Sequence, residues 1–345
     1  MRRIPWEDLV KLGTSLLTAK GVPGERAGHI AEIAVRTEAY GIRTHGVRIF
    51  HYFDRMVGPE IDPRAEPVVV KETGATALID GNRAFGQLAM RLATEIATRK
   101  AKTEGIAMVA VHDTFWIAGL AVYMIPIAEA GFMAQLWVQH SSGKDCAPFG
   151  GTEARFSTNP VAFAFPTAGL PMVSDFSTSV VAMGKVGDWI RDGWKPEDEL
   201  FVDADGRATN DPAVMRQGGT MLFEGGVKRG YKGFAMSLWS EALTAAAGGR
   251  TNNPANPSRQ AFNLTVIDPE AFAGRAAYHA EMARLVAWVK SSRLRPGVTE
   301  IRLPGERGLK ALTDARENGV PLDDAAIERL NALARKSGLP GVSAE

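Results

Sequence analysis

The chain has 345 residues, 45% apolar and 23% charged, enough to bury one large core or two moderate ones and unlike a disordered or collagen-like protein. Forty basic against 39 acidic residues leave a net charge of +1, which gives no electrostatic reason to expect nucleic acid or an anionic membrane as partner. A single cysteine, Cys146, excludes an internal disulfide and reads as a small buried apolar residue of a protein kept in the reducing cytoplasm.

The N-terminus passes at once into an amphipathic pattern, with no signal-like apolar core, and no apolar run approaches the roughly 18 residues of a membrane span. Leu9, Leu12, Leu16 and Leu17, then Ala27, Ile30, Ile33 and Ala34, repeat at helical spacing over residues 5–20 and 23–40, which predicts a helical pair divided by Gly21-Val22-Pro23. Short strands follow at 68–71 and 75–80, a helix at 87–102, a strand at 106–111, a helix at 118–130 and a buried strand at 132–138. From Pro160 to Ser240 β-rich runs alternate with Gly, Asp, Asn and Pro, as at 161–165 and 172–175. A helix is expected over 231–246, a polar and mobile loop over 250–258, a strand over 260–267, a helix over 269–292 and a last helix over 323–335.

Several common chemistries lack their residues. No Gly-x-Gly-x-x-Gly stands between a strand and a helix, no phosphate loop ends in Gly-Lys-Ser/Thr, and no Gly-x-Ser-x-Gly elbow occurs. No two of the histidines have the spacing of paired zinc ligands, so no metal site is expected. What remains is Gly41-Ile42-Arg43-Thr44-His45-Gly46-Val47-Arg48, at the exit of the second helix. A histidine exchanges a proton near neutral pH, and an arginine within reach can hold a carboxylate, which is the equipment for a 2-oxo or 2-hydroxy acid. Further on, glycines beside Ser, Thr, Asn and Lys recur at 147–160, 174–185, 224–234 and 303–308; such segments offer N–H and hydroxyl donors to a diphosphate or form ordinary turns.

In this order the blocks resemble the malate/L-lactate dehydrogenase family that lacks the usual dinucleotide fold. The resemblance runs from Gly41–Val47 through Ala147–Gly151, Thr158-Asn159-Pro160 and Asp175–Ser179 to Lys232-Gly233-Phe234 and Pro304–Arg307. It implies a mixed α/β fold with a mostly antiparallel central sheet and a helical part built from both chain ends. Residues 1–125 plus 295–345 would form the helical, substrate and dimerisation part, and 126–294 the cofactor-binding domain. It implies an oxidoreductase that uses NAD or NADP on a small 2-hydroxy or 2-oxo carboxylate, with a cyclic 2-imino acid reductase or a non-catalytic nucleotide-binding member as alternatives, and a cytoplasmic homodimer.

By the same resemblance His45 is the proton donor and Arg48 the carboxylate anchor, although the family's arginine usually falls where this chain has Ile49, which makes Arg43 a rival. Thr44, Trp116 and His140 would face the substrate. Trp116 stands where relatives carry a histidine, so it either makes the pocket more apolar or packs in the core. Thr158, Asn159, Asp175, Ser177, Thr178, Ser179, Tyr231, Lys232, Gly305 and Glu306 are the implied cofactor contacts.

Overall fold

A computed structural model describes residues 1–343. Its first half runs β1 (Arg2–Ile4), α1 (Trp6–Thr18), α2 (Gly24–Tyr40), α3 (Ile49–Met56), β2 (Val68–Glu72), β3 (Thr76–Asp80), α4 (Gly86–Glu104), β4 (Ile106–Thr114), α5 (Ala121–Glu129), β5 (Met133–His140), β6 (Val161–Phe165) and β7 (Met172–Phe176). Then come α6 (Met183–Asp192), β8 (Phe201–Val202), β9 (Ala208–Thr209), β10 (Thr220–Met221), α7 (Gly226–Arg229), α8 (Tyr231–Ala246), β11 (Gln260–Ile267), α9 (Arg275–Lys290), α10 (Glu306–Asn318), β12 (Val320–Leu322) and α11 (Asp324–Lys336).

Seven strands form the central sheet in the order β2-β3-β4-β11-β5-β6-β7. Only β3 and β4 pair in parallel, with α4 as the crossover, and every other neighbour is antiparallel, so the expected mixed fold holds. β11 lies between β4 and β5, and its residues from Ala261 to Val266 are buried along both faces. Alternation therefore vanishes there, as it must for a strand covered on two sides. Strands on either side of residue 125 share this one sheet.

The predicted helical pair packs through the leucines of α1 and the small and branched residues of α2, all buried in the main core. α2 stops at Gly41, whose φ of 103° lies in the left-handed region that glycine enters freely. The chain ends meet: β1 pairs with β12, α10 lies against α2, and α11 lies against α3. A second, smaller core gathers Cys146, Val186, Phe201, Met221 and Phe223.

Two expected helices change their limits. The one placed over 118–130 starts at Ala121, because Ala118 takes a φ of 75° that no helix continues. The one placed over 269–292 is broken into a single 3-10 turn, Pro269–Ala271, and α9, with Gly274 at a φ of 85° between them. The polar segment 250–258 is not loose at its base: Asn252 Nδ2 donates to His140 O at 3.2 Å and Gly143 O at 2.9 Å, and Ser141 Oγ donates to Pro257 O at 2.7 Å. No helix among the described residues is long and apolar enough to cross a membrane.

Candidate active site

The site begins where α2 ends. The turn after Gly41 is fastened by the His45 N–H to Ile42 O at 3.0 Å and by the Val47 N–H to Glu38 Oε2 at 3.1 Å. Glu38 is only 6% exposed. Burial pushes its carboxyl up to about 7, against the pull of the Val47 N–H and the Arg43 charge. Gly46 is required here because a Cβ at this position would lie 2.2 Å from Glu38 Oε2. His45 Nδ1 is paired with Thr44 Oγ1 at 2.9 Å, which leaves Nε2 for another partner. The ring edge opens on a cleft, while the protein packed around it, and then the Arg48 charge, hold its pKa below the usual 6.5.

α3 starts directly after Arg48, and residues 48, 52 and 55, spaced by four and three, share one face of it. All three line the cleft. Arg48 Nη1 donates to Asp188 Oδ1 at 2.9 Å, which ties α3 to α6. α6 comes close because Gly184 has no side chain: a Cβ there would meet Thr44 Cβ at 2.8 Å.

On the opposite wall, Trp116 sits in the segment between β4 and α5. Its ring packs edge to face with Tyr52, centroids 4.4 Å apart at 79°. Asp175 Oδ2 accepts the N–H groups of Leu120 at 2.8 Å and Ala121 at 2.9 Å, capping α5 with a carboxyl that burial pushes up to about 6. His140, at the end of β5, pairs through Nε2 with Ser258 Oγ at 2.9 Å, and burial lowers its pKa. Asp145 lines the same cleft, accepts from Ser157 Oγ at 3.2 Å, and is raised to about 6 by burial.

The cleft encloses about 840 Å³, within the range of small-molecule and cofactor sites. It brings together Thr44, His45, Arg48, Trp116, His140, Thr158, Asp175 and Ser177. Arg43 lines instead a neighbouring cavity of about 1100 Å³, beside Arg307 and Arg329, so of the two rival arginines Arg48 is the one beside His45.

Seven of the residues that the resemblance singled out lie outside this lining. Asn159 is fully buried with a φ of 33°, its Nδ2 donating to Ser237 Oγ and Glu241 Oε1 at 3.0 Å each. Thr178 Oγ1 donates to Thr158 O at 2.9 Å and Ser179 Oγ to Val181 O at 2.8 Å, so both hydroxyls shape the loop. Tyr231 and Lys232 stand exposed on the first turn of α8, Gly305 caps α10, and Glu306 pairs with Lys290 at 2.5 Å.

Sequence reasoning did not find Glu38, Tyr52, Arg55, Asp145 or Asp188. The 48/52/55 spacing was a usable signal once a helix was suspected there; Asp145 carried none.

The family model described as malate/L-lactate dehydrogenase matches residues 4–331. The chain belongs to the malate/L-lactate dehydrogenase family. It is 30% identical over 352 residues to a malate dehydrogenase of Pyrococcus abyssi, covering 99% of this chain and 96% of that one. It is also 30% identical over 344 residues to a delta(1)-pyrroline-2-carboxylate/delta(1)-piperideine-2-carboxylate reductase of Pseudomonas syringae pv. tomato, covering 96% of each. The solved malate dehydrogenase of Pyrococcus horikoshii superposes with a TM-score of 0.87 at 28% identity, over 98% of this chain and 96% of that one. This member of the malate/L-lactate dehydrogenase family is an oxidoreductase, and its relatives act as dehydrogenases and reductases.

Proposed function

We propose that this enzyme moves a hydride between a nicotinamide nucleotide, NAD or NADP, and carbon 2 of a small 2-hydroxy or 2-oxo carboxylate, with His45 exchanging the proton at oxygen. One observation carries the reading: a histidine with a free Nε2, Arg48 at the start of α3 and Arg55 within it, and the Thr158, Asp175 and Ser177 side chains border a single cleft.

The donor set suits a nicotinamide nucleoside. Thr158 and Ser177 bring hydroxyls, Asp175 a carboxyl and His140 a ring nitrogen, while the buried Oε1 of Gln260 on the same wall has no partner among the described residues. Thr158, Asp175 and Ser177 would hold the cofactor here, with Asn159, Thr178 and Ser179 shaping their loop and Tyr231, Lys232, Gly305 and Glu306 meeting its outer part. When bound, the nicotinamide supplies or takes the hydride. His45 in its imidazolium form gives the Nε2 proton to the carbonyl oxygen as the C–H bond forms, and in the reverse direction the neutral ring takes the hydroxyl proton. Thr44 holds the ring through Nδ1. An arginine of α3 holds the carboxylate, and Trp116 and His140 border the rest of the substrate. In an imine the same proton goes to nitrogen, and the aromatic wall made by Trp116 and Tyr52 favours this cyclic 2-imino acid reading as the alternative.

We also infer a cytoplasmic homodimer. α9 has no buried residue along its 16, with Leu285 at 44% and Trp288 at 78% exposure, an apolar face of the kind that a second copy covers. Light scattering after size exclusion tests the assembly, and a monomer would remove that part of the reading.

The central test is His45→Asn assayed by NAD(P)H absorbance with 2-oxo acids and piperideine-2-carboxylate. A fall in kcat of about 10²- to 10⁴-fold is expected; an unchanged kcat takes His45 out of the mechanism.

A further inference from the structure

The two arginines on the cleft face of α3 are not equivalent. Arg48 is committed to Asp188 at 2.9 Å, and Asp188 Oδ1 also accepts Arg191 at 2.8 Å. Arg55, one face-turn further along the helix, has no carboxylate within 4.0 Å among the described residues. Its guanidinium lies 5.4 Å from the centroid of the Tyr52 ring, and Tyr52 in turn meets Trp116 edge to face. The three side chains form a continuous strip that runs from α3 to Trp116 on the facing wall, charged at one end and aromatic at the other. The same cleft lining includes the apolar Ile42, Ile49, Met56, Leu120 and Met183, together with the carboxyl of Glu60.

A cleft built this way suits one carboxylate and resists two. An unpaired guanidinium is the group that a carboxylate gains most from meeting, whereas a second anion placed among aromatic and aliphatic side chains loses its water with no cation in return. The carboxyls of Asp145 and Asp175 on the far wall repel it further when ionised.

We propose that Arg55 anchors the substrate carboxylate and that the Tyr52–Trp116 pair reads the rest of the molecule, so that the preferred substrates are monocarboxylic 2-oxo or cyclic 2-imino acids with an apolar body, and not dicarboxylates. The inference rests on the hydride-transfer reading of the same cleft. It gives Arg55 a binding role, and it turns Trp116 from a departure into the selector.

The test uses the full-length enzyme with NADH and with NADPH, and compares phenylpyruvate, 2-oxoisocaproate and piperideine-2-carboxylate with oxaloacetate and sulfopyruvate. At least one of the apolar monocarboxylates is expected to exceed both dianions in kcat/KM by about tenfold or more. Arg55→Met should raise its KM about tenfold with kcat within about threefold of the parent, Arg55→Lys should recover part of that loss, and Trp116→His should narrow the preference toward oxaloacetate. Arg55 is exposed, so the two Arg55 variants keep their core; Trp116 packs against the main core, so circular dichroism checks the fold of Trp116→His. A wild-type preference for oxaloacetate or sulfopyruvate, or an unchanged KM in Arg55→Met, overturns the proposal while leaving hydride transfer in place. Turnover of no acid with either cofactor overturns both.

Discussion

Arg48, which lines the cleft, meets Asp188 of the neighbouring cavity, Nη1 to Oδ1 at 2.9 Å, joining the start of the helix that follows the histidine turn to the first helix beyond β7. The pair is about a quarter exposed on each side, 29% and 24%, so its net contribution to stability is modest, on the order of 1 kcal/mol or less. Its larger effect is on charge in the cleft, because it offsets one of the two guanidiniums there. Asp188→Asn keeps the shape and removes that offset. The expected result is a KM for oxaloacetate lowered about five- to tenfold relative to that for a monocarboxylate. Steady-state kinetics with both acids measure the ratio, and a ratio that stays put means that Arg48 does not face bound substrate.

The pH dependence follows from the direction of the His45 shift. Burial, and then the Arg48 charge, hold its pKa below 6.5, so at neutral pH the ring is mostly unprotonated. Reduction needs the imidazolium, so its kcat/KM should fall about tenfold per pH unit above that lowered pKa, while oxidation should rise through it and level off. Arg48→Gln removes the second cause and should move both limbs to higher pH. Asp145 and Asp175, held near 6 in the same cleft, titrate close by. Profiles of His45→Asn separate them: if the steep limb persists without the imidazole, one of these carboxyls makes it.

Glu38 links stability to pH. Its folded pKa is about 7 against an ordinary 4.5, so between those values the folded chain binds more protons than the unfolded one, and stability falls as pH rises through that window. Glu38→Gln keeps an acceptor for the Val47 N–H and removes the titration. The variant should therefore gain stability over the parent at pH 8, on the order of 2 kcal/mol, and little at pH 4. Urea melts at the two pH values decide it, and an equal difference at both would place the origin of the shift elsewhere.

The fold was legible where burial is one-sided and long. α1, α2 and α4 carry stripes that repeat at 3.6 residues, and β6 and β7 sit between turn residues. α6 was not, because in ten residues its stripe of Val186, Trp189 and Ile190 is too short to stand out, and the pairing of β1 with β12 joins three-residue strands from opposite ends of the chain. α3 is eight residues long, too short for its periodicity to stand out beside the histidine motif. In the site, the Thr44–His45–Arg48 turn stands out by its glycines and its place at a helix end, whereas Trp116, His140, Thr158, Asp175 and Ser177, which line the same cleft, were legible only through the resemblance of the ordered blocks to the family. Asn159 shows why sequence context alone is ambiguous: a polar residue beside Gly or Pro also serves to satisfy buried groups, here Glu241 and Ser237 of α8. Glu241 itself, which accepts from Gln139, Asn159 and the Asn252 N–H, resembles any polar residue within a helix until the sheet beneath it is known.

Gly46 and Gly41 offer a paired test of how tightly the histidine turn must be held. A Cβ on residue 46 would lie 2.2 Å from Glu38 Oε2 and 2.7 Å from Glu38 Cα. The second contact is with backbone, so the turn itself has to move away from α2 and the Val47 N–H leaves its acceptor. Gly46→Ala should therefore lower stability by about 1–3 kcal/mol and displace His45 enough to reduce kcat about 10²-fold. Gly41 is different: its φ of 103° strains any other residue, yet nothing lies within 4 Å of a Cβ there. Gly41→Ala should lower stability by about 1–2 kcal/mol while leaving most of kcat in place. Thermal melts and kcat for the two variants give four numbers. If both lose stability and activity in parallel, placement of His45 depends on the helix end as a whole rather than on the Glu38 contact.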